Sequence, residues 1–107
     1  LHTLFPYTTL FRSLFAASLK APSVKRIIIT GSIVSTMALP DTLFQPTTVS
    51  ADDLSTITLE QGIPSLPAAY QYAKPSSEKK AWEFIKTTKP SFDLVVLLAP
   101  SITGKCI

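Results

Sequence analysis

Three groups of residues have the types and spacing for acid–base chemistry. In the first group, Tyr70 and Lys74 stand four positions apart in a segment with a helical pattern, so both side chains would lie on one face of a helix. A lysine ammonium in that position favours the ionised form of a neighbouring phenol. A tyrosine and a lysine at this spacing also occur often by chance. The spacing alone therefore leaves a purely structural role open.

The other two groups follow the two segments that are predicted as strands. Thr30, Gly31 and Ser32 end an isoleucine-rich run, and residues 99–104 (APSITG) end a second apolar run. Because open α/β sheets bind ligands beyond the carboxyl ends of their strands, the Ser32 hydroxyl would lie at a ligand-binding edge. The alternative is that Gly31 and Ser32 only turn the chain, and that residues 99–104 only mark the end of a strand.

The elements that must position these groups begin with a helix and a strand. Residues 14–20 are predicted as the end of a helix that stops before Pro22, because a residue before proline is disfavoured in helical geometry. Residues 25–30 include three consecutive isoleucines. A short β-branched run of this kind is typical of a strand covered on both faces in a parallel sheet.

A long loop, a helix and a second strand follow. Residues 36–67 are polar and rich in proline, and are predicted as a loop with a short helix at 58–61 that Gly62 would end. Residues 68–88 are predicted as an amphipathic helix, and residues 92–98 as a second buried strand. Two buried strands joined through a helix imply a right-handed parallel crossover. The predicted solvent-facing residues of the long helix are Glu78, Lys79, Glu83 and Lys86.

The composition limits the class of protein. The chain has 107 residues, of which 46% are hydrophobic and 16% charged, so it is too apolar for intrinsic disorder and long enough for one small domain at most. Its longest apolar run, residues 94–100, is far shorter than the roughly 20 residues that a membrane helix needs. We therefore expect no membrane partner and, without an export signal, a cytoplasmic protein.

Charge and metal-ligating residues exclude further classes. The formal net charge is +3, but the lysines and arginines are scattered along the chain, so no nucleic-acid partner is expected. Cys106 is the only cysteine and cannot close an intrachain disulfide, and one cysteine with His2 cannot build a zinc site. We predict no metal site, and the sequence leaves the oligomeric state open.

The first 13 residues differ in character from the rest. The chain begins at Leu1, and residues 3–13 (TLFPYTTLFRS) show no helical or alternating pattern. They resemble the translation of a DNA sequencing-library adapter. A secretory signal would need a basic region before its apolar stretch, and an irregular native arm is the remaining alternative. We therefore divide the chain into a non-native segment, residues 1–13, and a domain fragment, residues 14–107.

Three stretches together resemble one protein family. They are VKRIIITGS, then YQYAK followed by SEKKAWEF, and then KPSFDLVVLLAPSITG. Over about residues 14–104 the chain resembles the extended short-chain dehydrogenase/reductases, and within them the epimerase/dehydratase type. That type includes dihydroflavonol reductase-like proteins and fungal aldehyde or methylglyoxal reductases. The resemblance implies an α/β fold with a partial Rossmann-like parallel sheet, as a fragment of a three-layer α/β/α domain that lacks the glycine-rich amino-terminal half.

The resemblance also implies a role for each candidate residue. Ser32 matches the serine that hydrogen-bonds the substrate carbonyl, Tyr70 the proton donor, and Lys74 the lysine that holds the nicotinamide ribose and eases proton release from Tyr70. Hydride transfer leaves negative charge on the carbonyl oxygen, which needs a preplaced donor and a proton source. The implied cofactor is NADP or NAD, and the implied substrate is an aldehyde or ketone. The implied cofactor-binding residues are Thr30, Tyr70, Lys74, Pro100, Ser101 and Ile102.

The sequence departs from this family in ways that affect function. Ala73 stands where a serine commonly precedes the lysine, and Pro75 predicts a helix kink that can misdirect Lys74. The family's phosphate loop cannot be assembled from Gly31, Gly62 and Gly104. We therefore expect the chain alone to be inactive and its strand faces to lack cover. A non-catalytic NAD(P)-binding-like protein or pseudoenzyme fragment is the alternative to a reductase.

Overall fold

Helices and strands alternate in the order that the sequence predicts. The structure is a computed structural model that describes residues 6–37, 46, 48–63 and 65–106. Parts of the predicted loop, the start of the adapter-like segment and His2 lie outside the described residues. The elements are helix α1 (Pro6–Leu19), strand β1 (Arg26–Ser32), a 3₁₀ helix (Ile33–Thr36), helix α2 (Leu59–Gly62), helix α3 (Leu66–Thr88) and strand β2 (Asp93–Ala99).

The two strands form a parallel sheet, as predicted. Their register pairs Arg26 with Asp93 at the start and Ser32 with Ala99 at the end. β1 therefore continues through Gly31 and Ser32, where the sequence predicts a boundary after residue 30. Gly31 belongs to the strand because β2 approaches it closely: a Cβ at this position would lie 2.9 Å from Cγ1 of Val96. A glycine is needed here because a larger side chain would collide with β2, and not because the chain turns.

Within the described part of the chain, helices cover one face of the sheet and leave the other exposed. Ile27 and Ile29 are buried, whereas Ile28 between them is 61% exposed. Residues of α1 and α3 pack against the Ile27 face, together with Leu94 of β2. The other face leaves Leu97 of β2 54% exposed. The prediction of cover on both faces is wrong for this chain, and so is the expectation that both faces lack cover, because the two helices protect one of them.

The core is built around an aromatic cluster. Phe15 of α1 is 1% exposed, and its ring centroid lies 5.0 Å from that of Phe84 on α3. Phe92, just before β2, lies 6.2 Å from Phe15 by the same measure. Aromatic rings at these separations stabilise the fold beyond the contribution of hydrophobic burial. Phe15 therefore ties α1 to both α3 and β2.

Helix α1 begins earlier than the sequence predicts. Residues 14–20 are predicted as helix, but α1 starts at Pro6 and so includes much of the adapter-like segment. Phe11, Phe15 and Ser18 recur at helical spacing, and Phe11 packs against the core in which Phe15 is buried. The interpretation that residues 3–13 show no helical pattern is wrong for the part from Pro6 onward, because this stripe was not recognised. The non-native origin of residues 1–13 stays a prediction.

The short helix predicted at residues 58–61 is present, displaced by one residue, as α2. The Thr58 hydroxyl oxygen accepts a hydrogen bond from the Gln61 backbone N–H at 3.4 Å, and the Gln61 side chain accepts one from the Thr58 N–H at 2.8 Å. This reciprocal pair is a capping box. Gly62 ends α2 against α3, since a Cβ there would lie 2.8 Å from Cβ of Tyr72.

Candidate active site

The carboxyl ends of β1 and β2 meet at one edge of the sheet. Ser32, the last residue of β1, is 7% exposed. Its side-chain oxygen accepts a hydrogen bond of 3.3 Å from the Val34 backbone N–H, as the N-cap of the 3₁₀ helix. A hydroxyl that accepts through one lone pair can still donate its own proton. The cap therefore fixes the Ser32 oxygen and leaves its O–H able to donate to a ligand.

Tyr70 and Lys74 lie on successive turns near the start of α3. Ser65 begins the helix, and its hydroxyl oxygen accepts a hydrogen bond from the Ala68 backbone N–H at 3.2 Å. Nζ of Lys74 lies 5.6 Å from the centroid of the Tyr70 ring, which is within range of a cation–π interaction. The prediction that both side chains occupy one face of a helix is confirmed.

All the sequence-predicted site residues line one open cleft of about 460 Å³ at this edge. Thr30 and Ser32 contribute from β1, and Tyr70 and Lys74 contribute from α3. The predicted residues that line the cleft after β2 are Pro100, Ser101 and Ile102. A hydroxyl, a phenol and an ammonium therefore share one space. The catalytic and cofactor-binding roles of these residues remain predictions.

Pro75 does not interrupt the helix that carries Tyr70 and Lys74. α3 runs without a break from Leu66 to Thr88, with Pro75 inside it. The Pro75 side chain is among the most deeply buried in the described part of the chain, so packing holds a residue that lacks the N–H for its helical hydrogen bond. The expected misdirection of Lys74 does not occur, because Nζ stays beside the Tyr70 ring.

Glu78 is the residue that the sequence analysis assigned wrongly. It was predicted to face solvent, but it is 8% exposed. Its Oε1 accepts a hydrogen bond of 3.2 Å from the indole N–H of Trp82, while its Oε2 is buried and has no hydrogen-bond partner among the described residues. The missed signal is spacing: Tyr70, Lys74, Glu78 and Trp82 recur every four residues, which places them along one side of α3.

A second cavity lies beneath the cleft, between α3 and β1. It is small, about 30 Å³, and is lined by Tyr70, Lys74 and Glu78 of α3 and by apolar side chains that include Ile29 and Val96. Phe11 of α1 also lines it. The predicted phenol and amine therefore face two spaces, one open to solvent and one more enclosed, and Glu78 belongs to the enclosed one.

Two residues at the opposite edge of the sheet, where the strands begin, have shifted pKa values. Arg26 and Asp93, the paired first residues of the strands, form a two-pronged ion pair with both N–O distances at 2.7 Å. The hydrogen bond and charge of Arg26 hold the pKa of Asp93 below its usual range, and the same contact raises the pKa of Arg26. Both side chains are more than half exposed, so this pair aligns the strand starts and is separate from the cleft.

The described residues give no indication of a metal centre or a membrane span. In the described ranges, no three or more histidine, cysteine, aspartate or glutamate side chains are grouped so that they could hold a metal ion. No helix within that part of the chain combines the length and apolar composition needed to cross a membrane.

Known proteins similar to this chain include fungal reductases. A Candida albicans protein assigned as an NADPH-dependent methylglyoxal reductase is 29% identical over 85 residues, which are 79% of this chain and 25% of that protein. The ketoreductase azaE of Aspergillus niger is 32% identical over 91 residues, or 82% of this chain and 25% of that protein. No protein-family model matches the chain.

The fold is also similar to that of a solved reductase. The structure of a reductase engineered to attenuate substrate inhibition in asymmetric catalysis matches 91% of this chain with a TM-score of 0.82 and 27% identity. The match covers 30% of that reductase, and the chain spans about a quarter of the length of the curated relatives. The parallel strands and their helices are thus a partial Rossmann-like α/β unit with the architecture of a reductase.

Proposed function

We propose that this chain carries the catalytic edge of an NAD(P)H-dependent reductase of an aldehyde or ketone, of the extended short-chain dehydrogenase/reductase type. The single observation that carries the proposal is the cleft that Ser32, Tyr70 and Lys74 line together. A tyrosine and lysine paired by chance on a helix would have no reason to face a serine at the end of a strand. The relatives, which are named as a methylglyoxal reductase and a ketoreductase, support the same chemistry.

In this proposal Ser32 and Tyr70 act on the carbonyl oxygen of the substrate, and Lys74 acts on Tyr70. The Ser32 hydroxyl donates a hydrogen bond to the carbonyl oxygen, where negative charge develops as hydride reaches the carbon. Tyr70 then gives its phenolic proton to that oxygen, and the product is an alcohol. Lys74 stabilises the resulting phenolate by its positive charge, and by family resemblance it also holds the nicotinamide ribose. The reduced nicotinamide, when bound, supplies the hydride and its electron pair.

The residues of the cleft suit the nicotinamide end of such a cofactor. A hydroxyl, a phenol and an ammonium face the same space, and these groups can hydrogen-bond a ribose and a carbonyl. Gly31 and Gly62 lie within β1 and α2, and Gly104 stands alone after β2, so these three glycines form no glycine-rich loop that could cradle a pyrophosphate. We therefore expect weak or no binding of NADPH by this chain alone.

The preference for NADP or NAD can be tested by comparing the consumption of NADPH and NADH. Because the Candida albicans relative is named as NADPH-dependent, NADPH is the cofactor to test first. Purified protein from the gene that contains this chain should consume NADPH when a small aldehyde such as methylglyoxal is added. The measurement is the loss of NADPH absorbance, repeated with NADH at equal concentration.

Ser32 provides the matched test of the site. Ser32→Ala removes the proposed donor to the carbonyl oxygen and should lower kcat by about 100-fold, as for the loss of one oxyanion donor. The control Ser91→Ala changes an exposed serine at the other edge of the sheet and should leave kcat near the wild-type value. No NADPH consumption by the wild-type protein with any aldehyde or ketone would overturn the proposed function.

A further inference from the structure

We propose that Lys79 is a positioning residue that holds the hydroxyl of Ser32 in its place at the cleft. The inference rests on the proposed function, because it gives Ser32 the role described there. It starts from an interaction that the proposed mechanism does not use: Nζ of Lys79 donates a hydrogen bond of 2.7 Å to the backbone carbonyl of Ser55, 24 residues earlier in the chain. A lysine that was predicted only to face solvent thereby reaches the loop between the 3₁₀ helix and α2.

Ser55 is a buried point of that loop. It is 3% exposed, so its backbone polar groups need hydrogen-bond partners inside the protein. Its carbonyl accepts from Lys79, and its N–H donates to the carbonyl of Ser35 across 2.7 Å. A hydrogen bond from an ammonium is stronger than one between neutral groups. Lys79 therefore holds Ser55, and Ser55 in turn holds Ser35.

Ser35 belongs to the 3₁₀ helix that has Ser32 as its N-cap. Ser35 is 1% exposed, and the Thr36 hydroxyl closes the same turn by donating to the carbonyl of Ile33 across 2.8 Å. At the start of this helix, the Val34 N–H donates to the Ser32 side-chain oxygen. Because the 3₁₀ helix is a single closed turn, a displacement of Ser35 would also move the Val34 N–H.

The contact with Val34 decides where the Ser32 hydroxyl points. The pairing of β1 with β2 fixes the backbone of Ser32, but a serine side chain can still take three staggered rotamers. The hydrogen bond from the Val34 N–H selects one of them, and at 3.3 Å it is long for an N–H···O contact. A bond this weak selects a rotamer only if its donor is held in place. The hydrogen bonds from Lys79 through Ser55 to Ser35 supply that restraint.

The test compares two neighbouring lysines of α3. Lys79→Met keeps most of the length of the side chain and removes the donor to Ser55, whereas Lys79→Arg keeps a charged donor and serves as the rescue. The matched control is Lys80→Met, because Lys80 forms an exposed ion pair with Glu83, with Nζ and Oε2 3.3 Å apart. All variants are made in the protein from the gene that contains this chain. Both lysines are exposed, so all three variants should fold.

The first measurement is the steady-state reduction of a small aldehyde by NADPH. Lys79→Met should lower kcat by a factor between about threefold, for a hydroxyl spread over three rotamers, and about tenfold, for one lost hydrogen bond. The KM for NADPH should stay unchanged, because the proposed cofactor contacts of Tyr70 and Lys74 are not altered. Lys79→Arg should have a kcat near the wild-type value. Equal kcat values in Lys79→Met and Lys80→Met would overturn the inference and leave the proposed function intact.

A double variant separates positioning from a general loss of stability. Ser32→Ala already removes the hydroxyl that Lys79 positions. Addition of Lys79→Met to Ser32→Ala should therefore lower kcat no further, because the effects of two residues that act through one group are not additive. A further fall as large as that in the wild-type background would show that Lys79 acts on something other than Ser32, and would contradict the inference.

The last measurement does not depend on activity. Amide hydrogen exchange, followed by mass spectrometry, reports how often the hydrogen bonds donated by the N–H groups of Ser55 and Val34 open. Exchange in the peptides that contain these residues should be about tenfold faster in Lys79→Met than in Lys80→Met. If the wild-type protein reduces no carbonyl, the proposed function fails, and this comparison alone decides whether Lys79 holds the 3₁₀ helix that follows Ser32. Equal exchange in the two variants would refute that role of Lys79.

Discussion

Nζ of Lys74 lies 5.6 Å from the centroid of the Tyr70 ring, although a proline follows Lys74 directly in the same helix. The two groups that the sequence pairs by spacing alone are therefore neighbours in space. Their proximity depends on a continuous α3, and the buried Pro75 is part of the packing that keeps it continuous.

Pro75→Ala should leave activity close to that of the wild-type protein. Lys74 already lies beside Tyr70 with proline present. A restored backbone hydrogen bond to Gln71 should therefore change the position of Lys74 very little. Steady-state kinetics with NADPH and a small aldehyde provide the measurement. A strong rise in kcat/KM for Pro75→Ala would show that the proline had misdirected Lys74.

Phe15→Ala should destabilise the fold more than any substitution at an exposed position of α1. Phe15 is 1% exposed and contacts the rings of Phe84 and Phe92. Its removal leaves a cavity, and such changes cost about 3–5 kcal/mol of unfolding free energy. Leu14→Ala, at a residue that is 45% exposed, is the control and should cost about 0.5 kcal/mol or less. Urea unfolding measures both, and similar losses for the two variants would contradict the assignment of Phe15 to the core.

Gly31→Ala tests the close approach of the two strands. A new Cβ would lie 2.9 Å from Cγ1 of Val96, a partly buried residue whose branched side chain packs against the core. Overpacking of this kind costs about 1–3 kcal/mol. The matched control is Gly104→Ala, because nothing lies within 4 Å of a Cβ there. Urea unfolding of both variants should show a loss for Gly31→Ala only.

The ion pair at the strand starts predicts a small pH dependence of stability. Because Arg26 lowers the pKa of Asp93 in the folded state, Asp93 contributes stability above its unfolded pKa of about 3.9. That contribution is lost as the pH falls through the lower folded pKa. Both side chains are exposed, so the effect should be small.

Asp93→Asn should therefore be slightly less stable than the wild-type protein at neutral pH, with a difference that shrinks as the pH falls toward 2 to 3, the region below the usual aspartate pKa. The control is Asp52→Asn, an exposed aspartate outside the sheet. Urea unfolding at several pH values measures the difference. A gap between Asp93→Asn and wild type that stays constant over this range would contradict the account of the pair.

The order of helices and strands was predicted well from the sequence. The burial of their individual faces was predicted less well. The isoleucine run identified β1, but its composition could not show that Ile28 would stay exposed beside buried Ile27 and Ile29. Which faces of a strand are covered depends on the helices that reach it, and these contacts are not local in sequence. The start of helix α1 was missed for a related reason, because its stripe of Phe11 and Phe15 is short and gains its stability from packing against the core.

The candidate site followed from the order of elements in the sequence. Ser32, Tyr70 and Lys74 share a cleft because parallel strands end at one edge and α3 returns beside it. Glu78 was misplaced because a charged residue on an amphipathic helix normally faces water. Only the tertiary packing shows that Trp82 donates to Glu78 and that this side of the helix faces the sheet.

The most direct test of the central claim replaces the proposed proton donor. Tyr70→Phe removes one hydroxyl from the cleft, and Tyr72→Phe, two residues further along the same helix, is the matched control. In the protein from the gene that contains this chain, kcat for NADPH-dependent aldehyde reduction should fall at least about 100-fold in Tyr70→Phe and stay near the wild-type value in Tyr72→Phe. Equal turnover in Tyr70→Phe and the wild-type protein would contradict the assignment of Tyr70 as the proton donor.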